Sequence, residues 1–144
     1  MNVFFTKLRH DAKMPTTGSE YAAGYDLYAA MDTELIVKPG QTVSIGTGLA
    51  IAPPKGYFGA IFARSGWATK RGLRPANCVG VCDEDYRGEY IVAIHNDSPD
   101  DQIIHPGDRI AQLVFLPYSH VAFEEVSSLN STERGAGGFG STGK

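Results

Sequence analysis

No stretch of the 144-residue sequence is apolar for long enough to cross a bilayer as a helix, and none keeps apolar residues at sustained helical spacing. Cysteine is scarce. Cys78 and Cys82 are the only two, and on a straight strand they would sit about 13 Å apart, beyond disulfide reach. They read as two reduced thiols unless the chain turns near Gly80. Two thiols are too few for a zinc site, and His95 and His105 add no recognisable ligand spacing. An excess of either charge is also missing. Thirteen Lys and Arg against sixteen Asp and Glu leave a net charge of −3, which excludes the basic footprint of a general nucleic-acid binder. Met1–Lys7 lacks the apolar core of a secretory signal. These absences predict a soluble intracellular protein that binds neither membrane nor nucleic acid. With no repeat and no break in composition, one domain is expected.

What remains is a β pattern. At 42% hydrophobic and 20% charged, the chain can bury an ordinary core. Turn signals recur at Lys38-Pro39-Gly40, Pro53-Pro54-Lys55-Gly56 and His105-Pro106-Gly107-Asp108. Between them, residues 34–38, 42–45, 48–52, 57–63, 89–95, 109–116 and 121–126 read as short strands, rich in β-branched and aromatic side chains. Residues 65–71 have room for one or two helical turns. The expected fold is all-β, a sandwich or barrel over residues 1–126, with a polar arm over 127–144. The run Ile110–Leu116 is almost wholly apolar and is expected to be buried on both faces. Gln112 in its middle is either a core amide paired to backbone or a contact to a ligand or second subunit.

Positive charge is local. Arg64, Lys70, Arg71 and Arg74 fall within eleven residues that contain no acid, and with Arg134 they would suit a polyanion. The last eleven residues, RGAGGFGSTGK, hold five glycines, one arginine and one aromatic. Glycines fold tightly over an anion, arginine presents a forked donor, and a phenyl face covers a ring. The same run satisfies GxGxxG and the GxxxxGK part of a P-loop. Both of those motifs set phosphate on the N-terminus of a helix that follows a strand. No helical pattern stands behind this run, so neither reading is adopted.

The segment VCDEDYRGE, Val81–Glu89, places three acids before a tyrosine and a glycine turn. By itself it fits a charged surface hairpin as well as a water-activating carboxylate beside a pocket wall. Its company decides more. AAGYDLYAA (22–30), ARSGWATKRG (63–72), VCDEDYRGE, GDRIAQLVF (107–115) and RGAGGFGSTG, in that order, resemble the five motifs of the trimeric deoxyuridine triphosphatase (dUTPase) family. The likeness runs from about Ala22 to Gly143. Trp67 stands where that family usually has leucine, and Cys82 where it usually has isoleucine.

The resemblance implies a homotrimer of jelly-roll subunits with sites shared between chains. It implies hydrolysis of dUTP to dUMP and pyrophosphate, which keeps uracil out of DNA and supplies dUMP for dTMP synthesis. Asp83 would orient a water at the α-phosphorus and take its proton. Aspartate is a weak base at neutral pH, so positioning and charge neutralisation would supply most of the acceleration. Arg64, Ser65 and Gly66 would hold the phosphates, with Gln112 adding a neutral donor. Asn77, Gly80 and Val81 would read uracil, and Tyr86 would lie on the deoxyribose. In the arm, Phe139 would cover the base while Arg134, Gly140, Ser141 and Thr142 close on the phosphate chain. Mg²⁺ would ride on phosphate oxygens and water, touching Asp26 only through water, unless Asp26 is a structural acid paired with Arg64. A related deaminase of dCTP and a non-catalytic partner-binding module are the alternatives.

Overall fold

The computed structural model describes residues 1–138. In chain order the elements are β1 (Phe4–Lys7), β2 (Tyr25–Tyr28), β3 (Leu35–Val37), β4 (Thr42–Ala52), β5 (Tyr57–Phe62), α1 (Ser65–Arg71), β6 (Leu73–Pro75), β7 (Val79–Cys82), β8 (Glu89–Asn96), β9 (Gln102–Ile104) and β10 (Arg109–Pro117). Two four-stranded antiparallel sheets, ordered β1-β4-β8-β6 and β2-β10-β5-β7, enclose the core, and β3 pairs with β9 in a third sheet. The fold is all-β, as the turn spacing anticipated, and of the jelly-roll type that the family resemblance implied.

Strand alternation builds the core. In β8, Tyr90, Val92 and Ile94 point inward and Ile91 outward. They meet Leu27 of β2, Leu49 and Ile51 of β4, Ile61 of β5 and Leu113 of β10 in one cluster. The core contains one buried amide, Asn96, which is satisfied: its Nδ2 donates to the carbonyls of Val37 and Asp100, each at 2.8 Å.

Several expectations need correction. Residues 42–45 and 48–52 are one strand, β4, whose register shifts between Gly46 and Ala50. Gly48 sits at φ +66, and a Cβ there would come within 2.8 Å of Ala12, so the bulge needs glycine. Residues 121–126 form no strand; among the described residues, regular structure ends at Pro117. Val121, Phe123 and Val126 are exposed, Phe123 almost completely at 98%. In β10 only Ile110, Ala111 and Leu113 are fully buried, and Val114–Leu116 are half-covered.

Candidate functional site

Two clusters form at opposite ends of the β2-β10-β5-β7 sheet. The first is the hairpin around β7. Cys78 turns the chain in the left-handed region at φ 63, and its N–H donates to the Pro75 carbonyl at 3.0 Å. Strand β7 then pairs with β5 alone, as the sheet edge. Every second residue of Val79–Cys82 therefore turns its backbone N–H and C=O away from the sheet. Gly80 lies tight on Ile61, where a Cβ would approach Ile61 Cβ to 3.1 Å. Asn77 is exposed beside this edge.

After β7 the chain turns sharply. The Tyr86 N–H donates to the Asp83 carbonyl at 3.1 Å, and Arg87 Nη1 donates to the carbonyls of Glu84 and Tyr86 at 2.7 and 2.9 Å. Tyr86 Oη donates to the Glu89 carbonyl at 3.0 Å. A Cβ at Gly88 would lie 2.4 Å from that hydroxyl, so the glycine of the motif makes room for the tyrosine. Asp83 is exposed, and among the described residues its carboxylate has no hydrogen bond or ion pair. A cleft of about 340 Å³ opens here between Val81, Asp83, Tyr86 and Tyr90.

One side chain under this cleft escaped sequence reasoning. Tyr90 is 1% exposed, 6.2 Å behind the Tyr86 ring, and its hydroxyl is buried with no partner among the described residues. Burial pushes the neighbouring Cys82 thiol up to about 11, the Asp83 charge adding to the shift. The thiol is therefore protonated at neutral pH and is no nucleophile. Cys78 and Cys82 are both free.

The second cluster lies along one row of the sheet, in which Gln112 of β10 pairs with both Asp26 of β2 and Phe62 of β5, and Phe62 pairs with Val79. Asp26 is buried and carries two arginines. Arg64 Nε donates to Oδ1 at 2.7 Å and Arg109 Nη1 to Oδ2 at 3.2 Å. Using Nε on Asp26 leaves the other end of the Arg64 guanidinium for a further acceptor. Gln112 Nε2 donates to the Ala63 carbonyl at 2.9 Å, and its amide oxygen fills the space over Gly24, 2.4 Å from where a Cβ would stand. Gln112 is thus paired to backbone within the subunit while its side chain stays only half-buried. Ser65 and Gly66 open α1 in an exposed position, and a Cβ on Gly66 would meet nothing within 4 Å.

Comparison with known proteins now bears on this geometry. The sequence model of the dUTPase family matches residues 10–143. The chain belongs to the dUTPase family. It is 52% identical, over 91% of its length and 87% of the relative's, to a deoxyuridine 5'-triphosphate nucleotidohydrolase of Desulfitobacterium hafniense. It is 42% identical over 99% of both chains to one from a Hydrogenobaculum strain. A Staphylococcus bacteriophage 80alpha dUTPase solved with dUpNHpp superposes with TM-score 0.89 at 27% identity, covering 99% of each chain. A dUTPase of S. aureus phage phi11, whose structure is described as revealing a structural Mg(II) ion, superposes with TM-score 0.82 at 24% identity over 91% of this chain and all of the other.

In this dUTPase-family chain the two clusters do not meet. Val79 pairs with Phe62 at the Asp26–Gln112 row, whereas Cys82, just before Asp83, pairs with Gly59. That puts Asp83 about 13 Å further along the sheet edge. Arg134 lies in a third place, in a turn where its Nε donates to the Gly137 carbonyl at 2.9 Å and the Gly135 N–H to the Thr132 carbonyl at 3.1 Å. Phe139, Gly140, Ser141 and Thr142 lie outside the described residues.

The expected basic patch is largely consumed by structure. Arg74 pairs with Asp97 at 2.6 Å. Arg71 binds Gln102 and the Ile103 carbonyl, and covers Trp67 at 4.6 Å from the ring centre. Trp67 is 8% exposed, so its departure from the family's leucine is absorbed by burial under an arginine. Among the described residues no three His, Cys, Asp or Glu side chains cluster as metal ligands, and no helix is long and apolar enough to cross a membrane.

Proposed function

We propose that the protein hydrolyses dUTP to dUMP and pyrophosphate, as a homotrimer whose sites combine groups from different chains. One observation carries the reading: Asp83 is exposed and, among the described residues, without a side-chain partner, beside a cleft of about 340 Å³ and a free strand edge, in a chain of the dUTPase family. A carboxylate left unpaired in such a place is a candidate for proton transfer rather than for stability.

Uracil would lie along the β7 edge, read by backbone groups near Gly80 and Val81 and by Asn77. Cytosine presents the reversed hydrogen-bonding edge, and leaving buried groups unpaired costs about 10⁴-fold in discrimination. Tyr86, fixed by Glu89 and backed by Tyr90, would pack on the deoxyribose and exclude a 2′-hydroxyl. Asp83 would take a proton from water as the water oxygen bonds to the α-phosphorus. The bond from phosphorus to the bridging oxygen breaks in line, and pyrophosphate leaves. Arg64, Ser65, Gly66 and Gln112 would hold the phosphates of the same substrate.

Because the sheet row of Gln112 meets β7 at Val79, about 13 Å short of Asp83 along that strand, and β10 lies two strands further across the sheet, a single dUTP would draw these residues from a neighbouring subunit. The arm, residues 127–144, with the strandless stretch that leads to it after β10, would reach a further site, where Phe139 covers the base and Arg134, Gly140, Ser141 and Thr142 close on the phosphate chain. Exposed Val121 and Phe123 suit an arm that leaves its own subunit.

The donor set fits Mg²⁺. With no carboxylate cage among the described residues, the ion would be held by phosphate oxygens and water, as Mg²⁺ prefers, and Asp26 would face only its water shell. Bound there, it supplies neutralising charge for the phosphate chain. The reading is tested by pyrophosphate release from dUTP, dCTP, dTTP and UTP, with and without Mg²⁺. Release confined to dUTP is expected. Ammonia release from dCTP, or indifference to the base, contradicts it.

A further inference from the structure

Glu84, next to the proposed base, belongs to none of the roles above, yet it is the best-anchored side chain of its turn. Its Oε2 accepts the Gly56 N–H at 2.7 Å and the Tyr118 hydroxyl at 2.9 Å. Gly56 turns the chain between β4 and β5 at φ +78, and its carbonyl accepts the Tyr118 N–H at 3.1 Å. Glu84, Gly56 and Tyr118 thus close a ring. The Tyr118 oxygen also lies 3.1 Å from His120 Nε2. Since its one proton goes to Glu84, His120 must be the donor in that contact, which sets the ring as its Nε2–H form. The Tyr118 ring meets Phe58 edge-on at 6.3 Å and His120 at 4.9 Å. A hollow of about 310 Å³ bordered by Phe58, Val81, Asp83, Glu84, Tyr118 and His120 opens here, adjoining the cleft in front of Tyr86 through Val81 and Asp83.

Tyr118 is the first residue past β10, where the chain departs towards the arm. We propose that Glu84, Tyr118 and His120 are positioning residues, a hydrogen-bonded anchor that fixes the turn bearing Asp83 and the root of the arm to one point. The inference rests on the reading of Asp83 as the base. The donors from Gly56 and Tyr118 hold the Glu84 carboxyl below its usual range, so the anchor is charged at neutral pH. Neither Glu84 nor His120 touches substrate. Their effect is to limit the directions open to the Asp83 carboxylate and to the departing chain.

The anchor is broken most gently by Tyr118→Phe, which keeps the ring on Phe58 and removes the shared hydroxyl. Steady-state hydrolysis of dUTP should show kcat lowered about five- to tenfold with KM within about twofold, the pattern of a misaimed group rather than lost binding. Glu84→Ala should match it. Glu84→Gln, which still accepts from both donors, should keep more than about half of kcat. A merely structural role would lower the unfolding midpoint and leave kcat of the folded protein unchanged. Normal kcat in both Tyr118→Phe and Glu84→Ala overturns the anchor, and so does a rise in KM alone. Asp83→Asn, assayed alongside, separates the two failures. If it still turns over, the base assignment falls. If it is inactive while the anchor variants are normal, only the anchor falls.

Discussion

Asp26 and Asp83 are the same side chain put to opposite uses. Asp26 is 9% exposed within β2, with both oxygens occupied by arginines at 2.7 and 3.2 Å. Asp83 stands exposed just past an edge strand, with no side-chain partner among the described residues. A buried carboxylate must be paired or the fold loses stability. An unpaired one at a cleft is available to accept a proton, and the protein spends its hydrogen bonds instead on neighbours such as Glu84 and Tyr86 that hold its backbone. The contrast separates the charge that holds the molecule together from the charge that acts.

The largest effect expected is on Asp83. Asp83→Asn should lower kcat by about 10³-fold while leaving nucleotide binding and the urea midpoint close to those of the unaltered chain. Near-normal turnover would remove the proposed base. Asp26→Asn should do the reverse, costing about 3 kcal/mol of unfolding free energy, the low end for breaking a buried pair because Arg109 is half exposed. If urea denaturation shows Asp83→Asn to be the more destabilised of the two, the contrast is void. The smallest effect sharpens the picture beneath the cleft. Tyr90→Phe deletes the buried hydroxyl that lacks a partner, and the melting temperature should hold or rise, by up to about 1 kcal/mol equivalent. A clear loss would mean that the hydroxyl has a partner after all, the Cys82 thiol being nearest at hand.

The central strands were legible because β8 and β10 carry β-branched side chains bounded by turn signals. Strand β7 was not, because Gly80 and a cysteine interrupt its pattern and its place is set by pairing with β5. Strand β6 is only Leu73–Pro75 and is fixed by β8. The run 121–126 has strand composition but finds no partner strand among the described residues, and composition without a partner does not make a strand. At the site, ordered motifs pointed to Asp83, Tyr86, Arg64 and Gln112. They could not show that Arg71 and Arg74 are committed to Gln102 and Asp97, since those contacts join residues 31 and 23 apart. The Glu84–Tyr118 bond spans 34 residues and leaves its motif for a tyrosine that belongs to none. Long-range pairing of this kind is a property of the folded sheet order, which local sequence does not display.

The most direct test of the account follows the oxygen of the attacking water. Hydrolysis of dUTP in ¹⁸O-labelled water with a single turnover per site should place the label in dUMP and leave pyrophosphate unlabelled, as attack at the α-phosphorus demands. Label in pyrophosphate would put the attack on the β-phosphorus and contradict the role assigned to Asp83.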